Sequence, residues 1–308
     1  MIRIQNLTKR FGDRVAVDNL DLEIESGETL GVVGPNGAGK TTIFKVLATL
    51  AKPDGGQVWL GGLDVVEQVA QVRRRIGYMP DAFGAYDLFS ASEYLDYFAA
   101  AYGLRGQARV AAIRGVMDLC DLGPVRDEAV GFLSRGIRQR LLLAKTLLHD
   151  PDVLILDEPA SGLDPRARIE IRAVLLELKK MGKTILISSH ILSELAQLST
   201  RVALMEKGKL LAVGGLADLH GMITTGRMIR LVPRKETDRA EEVVRSSGLA
   251  KEIFREGDEL LIVTEDGEGD PDRLLTLLLE AKIGIQSYAE EEPDLERIFL
   301  RLTRGDIQ

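Results

Sequence analysis

The chain has 308 residues, of which 45% are hydrophobic and 28% are charged, and its formal net charge is −7. This length predicts roughly two domains, and the acidic balance argues against direct binding to nucleic acid. The single cysteine, Cys120, excludes an internal disulfide framework and is expected to be a buried side chain on an amphipathic helix. The sequence has neither an apolar signal segment nor a run of about 18 apolar residues that would predict a membrane span.

The first part of the chain alternates predicted strands and helices. Apolar runs predict strands over residues 2–8, 20–25, 30–33, 56–60, 76–79, 153–156 and 184–188. Helices are predicted to follow Thr41, over 91–102, over 107–119, after Ser134 and after Asp164. This alternation predicts an α/β fold on a mostly parallel sheet, with an inserted helical region at about 82–145.

Three helix details carry specific expectations. In the first helix, apolar residues at helical spacing are expected to share one buried face: Ile43, Val46, Leu47 and Leu50. In the fifth helix, the corresponding face is Ile137, Leu141, Ala144 and Leu148. Asp164 and Pro165 predict the start of the sixth helix, and Gly182 predicts its end.

The regular pattern lapses at 219–226, which places a domain boundary between residues 1–220 and 226–308. The second pattern predicts strands over 227–232, 251–256, 259–264 and 284–289, and helices over 237–246, 271–281 and 293–302. Strand-helix-strand-strand-helix-strand is the order of the ferredoxin-like α+β motif. That fold assigns no function by itself, so a ligand sensor and a dimerisation module both stay open.

A glycine-rich loop, GPNGAGKT, follows the strand at 30–33 and precedes the first helix. It matches the pattern G-x-x-x-x-G-K-[ST] in the strand-loop-helix context that the motif requires. Backbone N–H groups and the helix N-terminus are expected to bind nucleotide phosphates, Lys40 adds positive charge, and the Thr41 hydroxyl is a predicted Mg²⁺ ligand. The predicted nucleotide-binding residues here are Gly34, Pro35, Asn36, Gly37, Ala38, Gly39, Lys40, Thr41 and Thr42.

Two carboxylates and a histidine follow neighbouring buried strands. Asp157 closes the strand at 153–156, where such an aspartate holds Mg²⁺ in P-loop enzymes. Glu158 comes next and can orient or deprotonate an attacking water; two solvated acids at a strand end are the alternative. His190 follows the next strand and is expected to reach the γ-phosphate at the same edge. The other histidines are interpreted as structural: His149 and His220.

Ser134 and Gly136 start the fifth helix and form a second predicted phosphate cradle. One nucleotide does not need two cradles of the same subunit if they lie on separate lobes. A head-to-tail dimer with two composite sites would use both, whereas an ordinary helix cap is the alternative interpretation.

Together these segments resemble the ATP-binding cassette (ABC) family over about residues 1–220. The resemblance rests on GPNGAGKT as Walker A, LSRGI as the signature, VLILDE as Walker B, SGLD as the D-loop and ISSH as the switch histidine. It implies a P-loop NTPase core with an antiparallel β subdomain and an inserted helical subdomain. It also implies ATP with Mg²⁺ as ligands, Phe11 stacked on adenine, and Asp164 of the D-loop at the nucleotide. Glu158, His190 and Lys40 would then be catalytic, in an ATP-sandwich homodimer or pseudo-dimer.

The resemblance further implies a separate transmembrane permease, which would hold this chain on the cytoplasmic face of the cell membrane. The signature variant and the segment EEPDLERIFLRLT resemble ATPases for export of drugs, lipids or polysaccharides. The region 83–102 would then dock the permease, with exposed aromatic candidates Tyr86, Phe89 and Tyr94. A non-transport ABC ATPase acting on a ribosome or a nucleic-acid machine is the alternative, although such members carry two cassettes or a coiled-coil insertion that this chain lacks.

Two departures from the family pattern stand out. The signature usually reads LSGGQ, but Arg135 and Ile137 replace a glycine and the glutamine. Glutamine usually follows the GY-x-P strand, but Asp81 stands there. An aspartate could bind Mg²⁺ at this position, whereas a plain Pro-Asp turn is the alternative.

Overall fold

The computed structural model describes residues 1–81, 84, 86–189, 195, 197–215, 218–219, 227–264 and 271–291. The chain divides into two compact units, Met1–Gly215 and Leu216–Gln308. The predicted helix at 293–302 and the residues 220–226 of the predicted boundary lie outside the described residues. None of the helices in the described part of the chain has both the length and the apolar character that a membrane span needs.

The first unit contains two β-sheets. The strands of the antiparallel sheet are β1 Ile2–Phe11, β2 Arg14–Ile24, β4 Gly55–Leu60 and β5 Leu63–Asp64, in the order β2-β1-β4-β5. The strands of the second sheet are β3 Thr29–Val33, β6 Ile76–Met79, β7 Val153–Leu156, β8 Thr184–Ser189, β9 Arg201–Glu206 and β10 Lys209–Gly214. Its order is β10-β9-β3-β8-β7-β6, and only β10 is antiparallel to its neighbour. The prediction of a mostly parallel sheet is confirmed.

Six helices with described bounds accompany these sheets: α1 Lys40–Leu47, α2 Val69–Arg75, α3 Ala91–Ala101, α4 Gly106–Leu119, α5 Arg135–Leu147 and α6 Pro165–Lys180. Helices α3, α4 and α5 lie between β6 and β7 in the chain, as expected for an inserted helical region. Four of the described elements named above were not predicted from the sequence, which are β5, α2, β9 and β10. Two short 3-10 helices, Gly123–Val125 and Val130–Phe132, were not predicted either.

The limits of α6 agree with the sequence prediction. The Asp164 carboxylate accepts the N–H groups of Arg166 and Ala167, each at 3.0 Å, and Pro165 occupies the first helical position. Gly182 follows the end of the helix with φ of 76°, a left-handed conformation that glycine adopts at low cost.

The expectation for Leu50 is wrong, because its side chain is 58% exposed. Helix α1 ends at Leu47, and Thr49 turns the chain with φ of 60°. The helical spacing therefore stops before Leu50, whereas Ile43, Val46 and Leu47 are buried as predicted.

Two side chains of the helical region are fully or almost fully buried. Cys120 caps the end of α4 with no exposed surface, and burial raises the pKa of its thiol to about 12. This confirms the expectation of a small buried residue. Tyr94 on α3 is only 1% exposed, so its choice as an exposed aromatic is wrong. Its ring packs against Phe98 at 4.9 Å between centroids.

The second unit folds around its own sheet. Its elements are β11 Met228–Pro233, α7 Thr237–Ser246, β12 Ala250–Glu256, β13 Glu259–Thr264, α8 Pro271–Glu280 and β14 Ile285–Glu291. The antiparallel strand order β12-β13-β11-β14 is that of the predicted ferredoxin-like motif. Its apolar core joins residues of the sheet to both helices, including Ile229, Leu231, Val244, Leu274 and Leu278.

Candidate nucleotide-binding site

The carboxyl ends of β6, β7 and β8 are joined by polar contacts. The N–H group of Asp157 donates to the Met79 carbonyl at 2.9 Å, which ties the end of β7 to the end of β6. Ser188 on β8 donates its hydroxyl to Asp157 Oδ1 at 2.7 Å and accepts the Glu158 N–H at 2.9 Å. One serine therefore holds the Asp157 carboxylate and the backbone of Glu158, a role that was not predicted from the sequence.

The glycine-rich loop fits tightly against neighbouring backbone. A β-carbon on Gly34 would lie 2.3 Å from the Met205 carbonyl, and one on Gly39 would lie 2.6 Å from the Ala16 carbonyl. Gly39 also has φ of 108°, so it needs glycine for its conformation as well as for space. Within the described residues, the N–H groups of Gly37 and Gly39 donate to no backbone carbonyl. Such unpaired donors at the start of α1 fit an anionic ligand.

Lys40 links this loop to the carboxylates. Its ammonium donates to the Gly34 carbonyl at 2.6 Å and to the Pro35 carbonyl at 3.4 Å. It also lies 3.6 Å from Glu158 Oε1, with the two side chains 7% and 15% exposed. The Lys40 ammonium and the Glu158 carboxylate therefore lie close together beside the loop.

A cleft of about 710 Å³ opens above these residues. Its lining comprises Phe11, Arg14, Ala16, Pro35, Asn36, Gly37, Ala38, Gly39, Lys40, Thr41, Thr42, Asp81, Glu158 and Ser161. Phe11 is 54% exposed, with the Lys9 ammonium 5.3 Å from its ring centroid. Arg14, Ala16 and Ser161 were not among the predicted site residues. Nothing in the local sequence marks Arg14 or Ala16, whereas Ser161 begins the SGLD segment, of which only Asp164 was predicted to bind the nucleotide.

Thr41 and Asp157 bring oxygen ligands together beside the loop. Burial raises the pKa of the Asp157 carboxyl, while hydrogen bonds with Ser188 and Thr41 lower it. Hydroxyl and carboxylate oxygens suit a hard cation such as Mg²⁺. No group of three or more His, Cys, Asp or Glu side chains that could hold a metal is found among the described residues.

Asp81 lies close enough to Tyr78 and Asp157 for its charge to affect their pKa values. Burial, followed by the charges of Asp157 and Asp81, raises the pKa of Tyr78 to about 12. Asp81 also lines the cleft. It is distant from the glycine-rich loop along the chain but lines the same cleft. The other predicted partner at this edge, His190, lies outside the described residues.

The second predicted cradle is formed but lies elsewhere on the unit. Ser134 caps α5, where its hydroxyl accepts the Ile137 N–H at 3.3 Å. A β-carbon on Gly136 would lie 2.8 Å from Ala167 Cβ, so α5 and α6 start side by side. Neither Ser134 nor Gly136 nor Asp164 lines the cleft. The predicted ligand set is therefore divided between two places on one chain.

Comparison with known proteins places the chain among transport ATPases. Residues 17–161 match the family model for the ABC transporter. The chain is 35% identical over 307 residues to the Nod factor export ATP-binding protein I of Burkholderia lata, and the match covers 100% of this chain and 98% of that protein. It is 37% identical over 219 residues to the probable multidrug ABC transporter ATP-binding protein YbhF of Escherichia coli, covering 71% of this chain and 38% of that protein.

Solved structures show the same fold. The dimeric structure of MJ0796, a bacterial ABC transporter cassette, has a TM-score of 0.64 and 25% identity, covering 70% of this chain and 99% of that chain. The chain belongs to the family of ABC transporter ATP-binding proteins. It is accordingly an ATP-binding, ATP-hydrolysing subunit of an ABC transporter. The resemblance seen in the sequence motifs is confirmed, and the transport interpretation prevails over the ribosomal and nucleic-acid alternative.

Proposed function

We propose that the cleft above the glycine-rich loop binds Mg²⁺-ATP and that Glu158 activates the attacking water. The loop N–H groups and Lys40 bind the β- and γ-phosphates, and Phe11 stacks on the adenine. Thr41 and Asp157 hold Mg²⁺, which when bound neutralises charge on the phosphate oxygens. Glu158 is the general base, because it lies at the cleft beside Lys40 and its backbone is fixed by Ser188.

Asp81 and His190 complete the proposed site at the γ-phosphate end. Asp81 lines the cleft, where a carboxylate can accept a hydrogen bond from Mg²⁺-bound water or bind the ion directly. His190 follows Ser189 at the end of β8 and is proposed to contact the γ-phosphate. An imidazole suits this place because it can donate a hydrogen bond to a phosphate oxygen at neutral pH.

The functional unit is proposed to be a homodimer or pseudo-dimer with two composite ATP sites. The single observation that carries this is the division of the ligand set: the loop lies in the cleft, whereas Ser134, Gly136 and Asp164 do not line it. A second copy can place its own α5 start over the nucleotide of the first. Two helix N-termini would then face one triphosphate from opposite sides, where their dipoles favour negative charge.

Dimer closure and hydrolysis are proposed to drive a separate membrane permease in export. The names of the relatives, a Nod factor exporter and a probable multidrug transporter, support the direction of transport. The helical region offers a docking surface at α3 and the segment just before it. Five aromatic rings pack there with centroids 4.9–6.0 Å apart: Tyr86 and Phe89 before the helix, and Tyr94, Tyr97 and Phe98 on it. Tyr94 is buried beneath this surface, whereas Tyr97 is 50% and Leu88 is 94% exposed. Docking would place the chain on the cytoplasmic face of the membrane.

The Glu158→Gln variant tests the proposed chemistry. It should bind ATP with the affinity of the wild type, because the phosphate-binding loop is intact. Phosphate release should fall by at least about 100-fold, since general bases contribute factors of that order. ATP should then hold the protein as a dimer, which sedimentation in the presence of ATP would detect.

A matched control carries the same change away from the cleft. Glu177 on α6 is 55% exposed and pairs with Lys180, so Glu177→Gln should hydrolyse ATP like the wild type. Turnover of the Glu158→Gln variant at the wild-type rate would disprove the base role. A variant that stays monomeric with ATP bound would disprove the composite dimer.

A further inference from the structure

Arg135, the residue that replaces a signature glycine, lies against the D-loop of its own chain. A β-carbon on Gly162 would be 2.6 Å from Arg135 Cζ and 2.6 Å from its Nη1. The guanidinium plane therefore lies directly over the α-carbon of Gly162. Gly162 has φ of 65°, so it is suited to glycine by its backbone as well as by this contact.

The segment beneath the guanidinium is a compact series of turns that starts at the proposed base. The Ser161 N–H donates to the Glu158 carbonyl at 3.1 Å, and the Leu163 N–H donates to the Ala160 carbonyl at 3.4 Å. Arg168 Nε binds the Leu163 carbonyl at 2.9 Å and holds the far end of the segment. These hydrogen-bonded turns connect Glu158 to Gly162, which is only four residues further along the chain.

We propose that Arg135 is a positioning residue that couples the two ATP sites of the dimer. The inference rests on the proposed composite site, in which the start of α5 faces the nucleotide held by the second copy. Contact with Gly162 makes the position of that helix start depend on the state of the chain's own Glu158. The planar guanidinium suits this role, because three of its atoms lie within 2.8 Å of the place a Gly162 β-carbon would take, and a lysine ammonium has no such plane.

The variants Arg135→Gln and Arg135→Lys test the coupling through the dependence of the ATPase rate on ATP concentration. Both should lower kcat several-fold and bring the Hill coefficient toward 1, while the affinity of each chain for a fluorescent ATP analogue stays as in the wild type. A fully active Arg135→Lys variant would overturn the proposal, since it would show that only positive charge matters. The control Arg166→Gln removes a 90% exposed arginine near the start of α6; an equal loss there would also overturn it.

Two glycine variants separate the contact from backbone strain. Gly162→Ala should reproduce the effect of Arg135→Gln, because the new methyl group displaces the guanidinium. Gly182→Ala has the same left-handed strain, with φ of 76°, but its β-carbon meets nothing within 4 Å, and it should keep the cooperativity. The double variant Arg135→Gln with Gly162→Ala should be no worse than either single one.

Additive losses in the double variant would mean that the two residues act separately and would overturn the proposal. A wild-type protein with a Hill coefficient of 1 would overturn this inference, because it would show that the two sites are not coupled. The composite dimer is tested separately, by the Glu158→Gln variant with ATP bound. Cooperative hydrolysis that survives in all Arg135 variants would overturn this inference alone, and the trapped Glu158→Gln dimer would still stand.

Discussion

At the scale of single residues, His149 shows how burial determines protonation outside the nucleotide site. Its Nε2 lies 2.8 Å from the Ile76 carbonyl, and its ring stacks on Tyr102 with centroids 4.0 Å apart. Burial lowers the pKa of His149, and Lys145 lowers it further, whereas the hydrogen bond to Ile76 and the charge of Asp150 raise it. The lowered pKa favours the neutral imidazole, which packs against the ends of α3 and β6. These contacts are those of a structural residue, as the sequence predicted.

This pKa predicts a loss of stability in acid. Below about pH 6.5 the unfolded chain binds a proton at His149 that the folded chain does not, so the free energy of unfolding falls as the pH falls. His149→Gln keeps a donor for the Ile76 carbonyl but cannot titrate, so its stability should depend less on pH. Urea unfolding at about pH 7.5 and about pH 5.5 measures the difference. Equal pH dependence in the two proteins would contradict the prediction.

At the scale of elements, two glycines differ in whether there is room for a side chain beside them. Gly77 on β6 lies against α5, and a β-carbon there would be 2.6 Å from the Thr146 carbonyl and 3.0 Å from Pro151 Cγ. Gly115 lies within α4, where a β-carbon would meet nothing within 4 Å. The first glycine allows a helix to approach a strand, whereas the second only weakens its helix.

Alanine at these two positions should therefore change stability in opposite directions. Gly77→Ala should lower the free energy of unfolding by ~1–3 kcal/mol, because the added methyl group overpacks a rigid contact. Gly115→Ala should raise it by ~0.5–1 kcal/mol, because alanine favours the helix. Urea unfolding of the two variants beside the wild type provides the measurement. A stabilised Gly77→Ala variant would show that β6 and α5 can move apart at low cost.

At the scale of the whole molecule, each of the two units has its own hydrophobic core. The core of Met1–Gly215 joins β1, β2, β3 and α1, and the core of Leu216–Gln308 joins its own sheet and helices. All described residues of the proposed ATP site lie in the first unit. That the second unit is an accessory domain of the ATPase stays a prediction.

A chain that ends at Gly215 should fold, bind ATP and hydrolyse it. It should also remain with membranes that contain its permease, because the proposed docking surface lies in the first unit, at α3 and the segment just before it. Nucleotide titration and membrane sedimentation, each beside the full chain, are the measurements. If the shortened Glu158→Gln variant binds ATP but no longer dimerises, the second unit is a dimerisation module. Failure of the shortened chain to fold would show that the two cores depend on each other.

The sequence alone determined most of the fold and the identity of the chemical groups. Walker A, Walker B and the helix limits at Asp164 and Gly182 depend on neighbouring residues, because glycines, caps and apolar periodicity act within a few positions. The alternation of elements likewise predicted a parallel sheet and a ferredoxin-like unit. Family resemblance then supplied the role of Phe11, which no local pattern indicates.

Only the tertiary structure decided which distant residues meet. Ser188 on β8 binds Asp157 at the end of β7. Arg135 at the start of α5 contacts Gly162 in the segment before α6, and Ser134 does not line the cleft. These contacts depend on how strands and helices pack, and long-range packing leaves no periodic pattern in the chain. The residues of the site could therefore be predicted from the sequence. Which of them line the cleft and which lie elsewhere was determined by the fold.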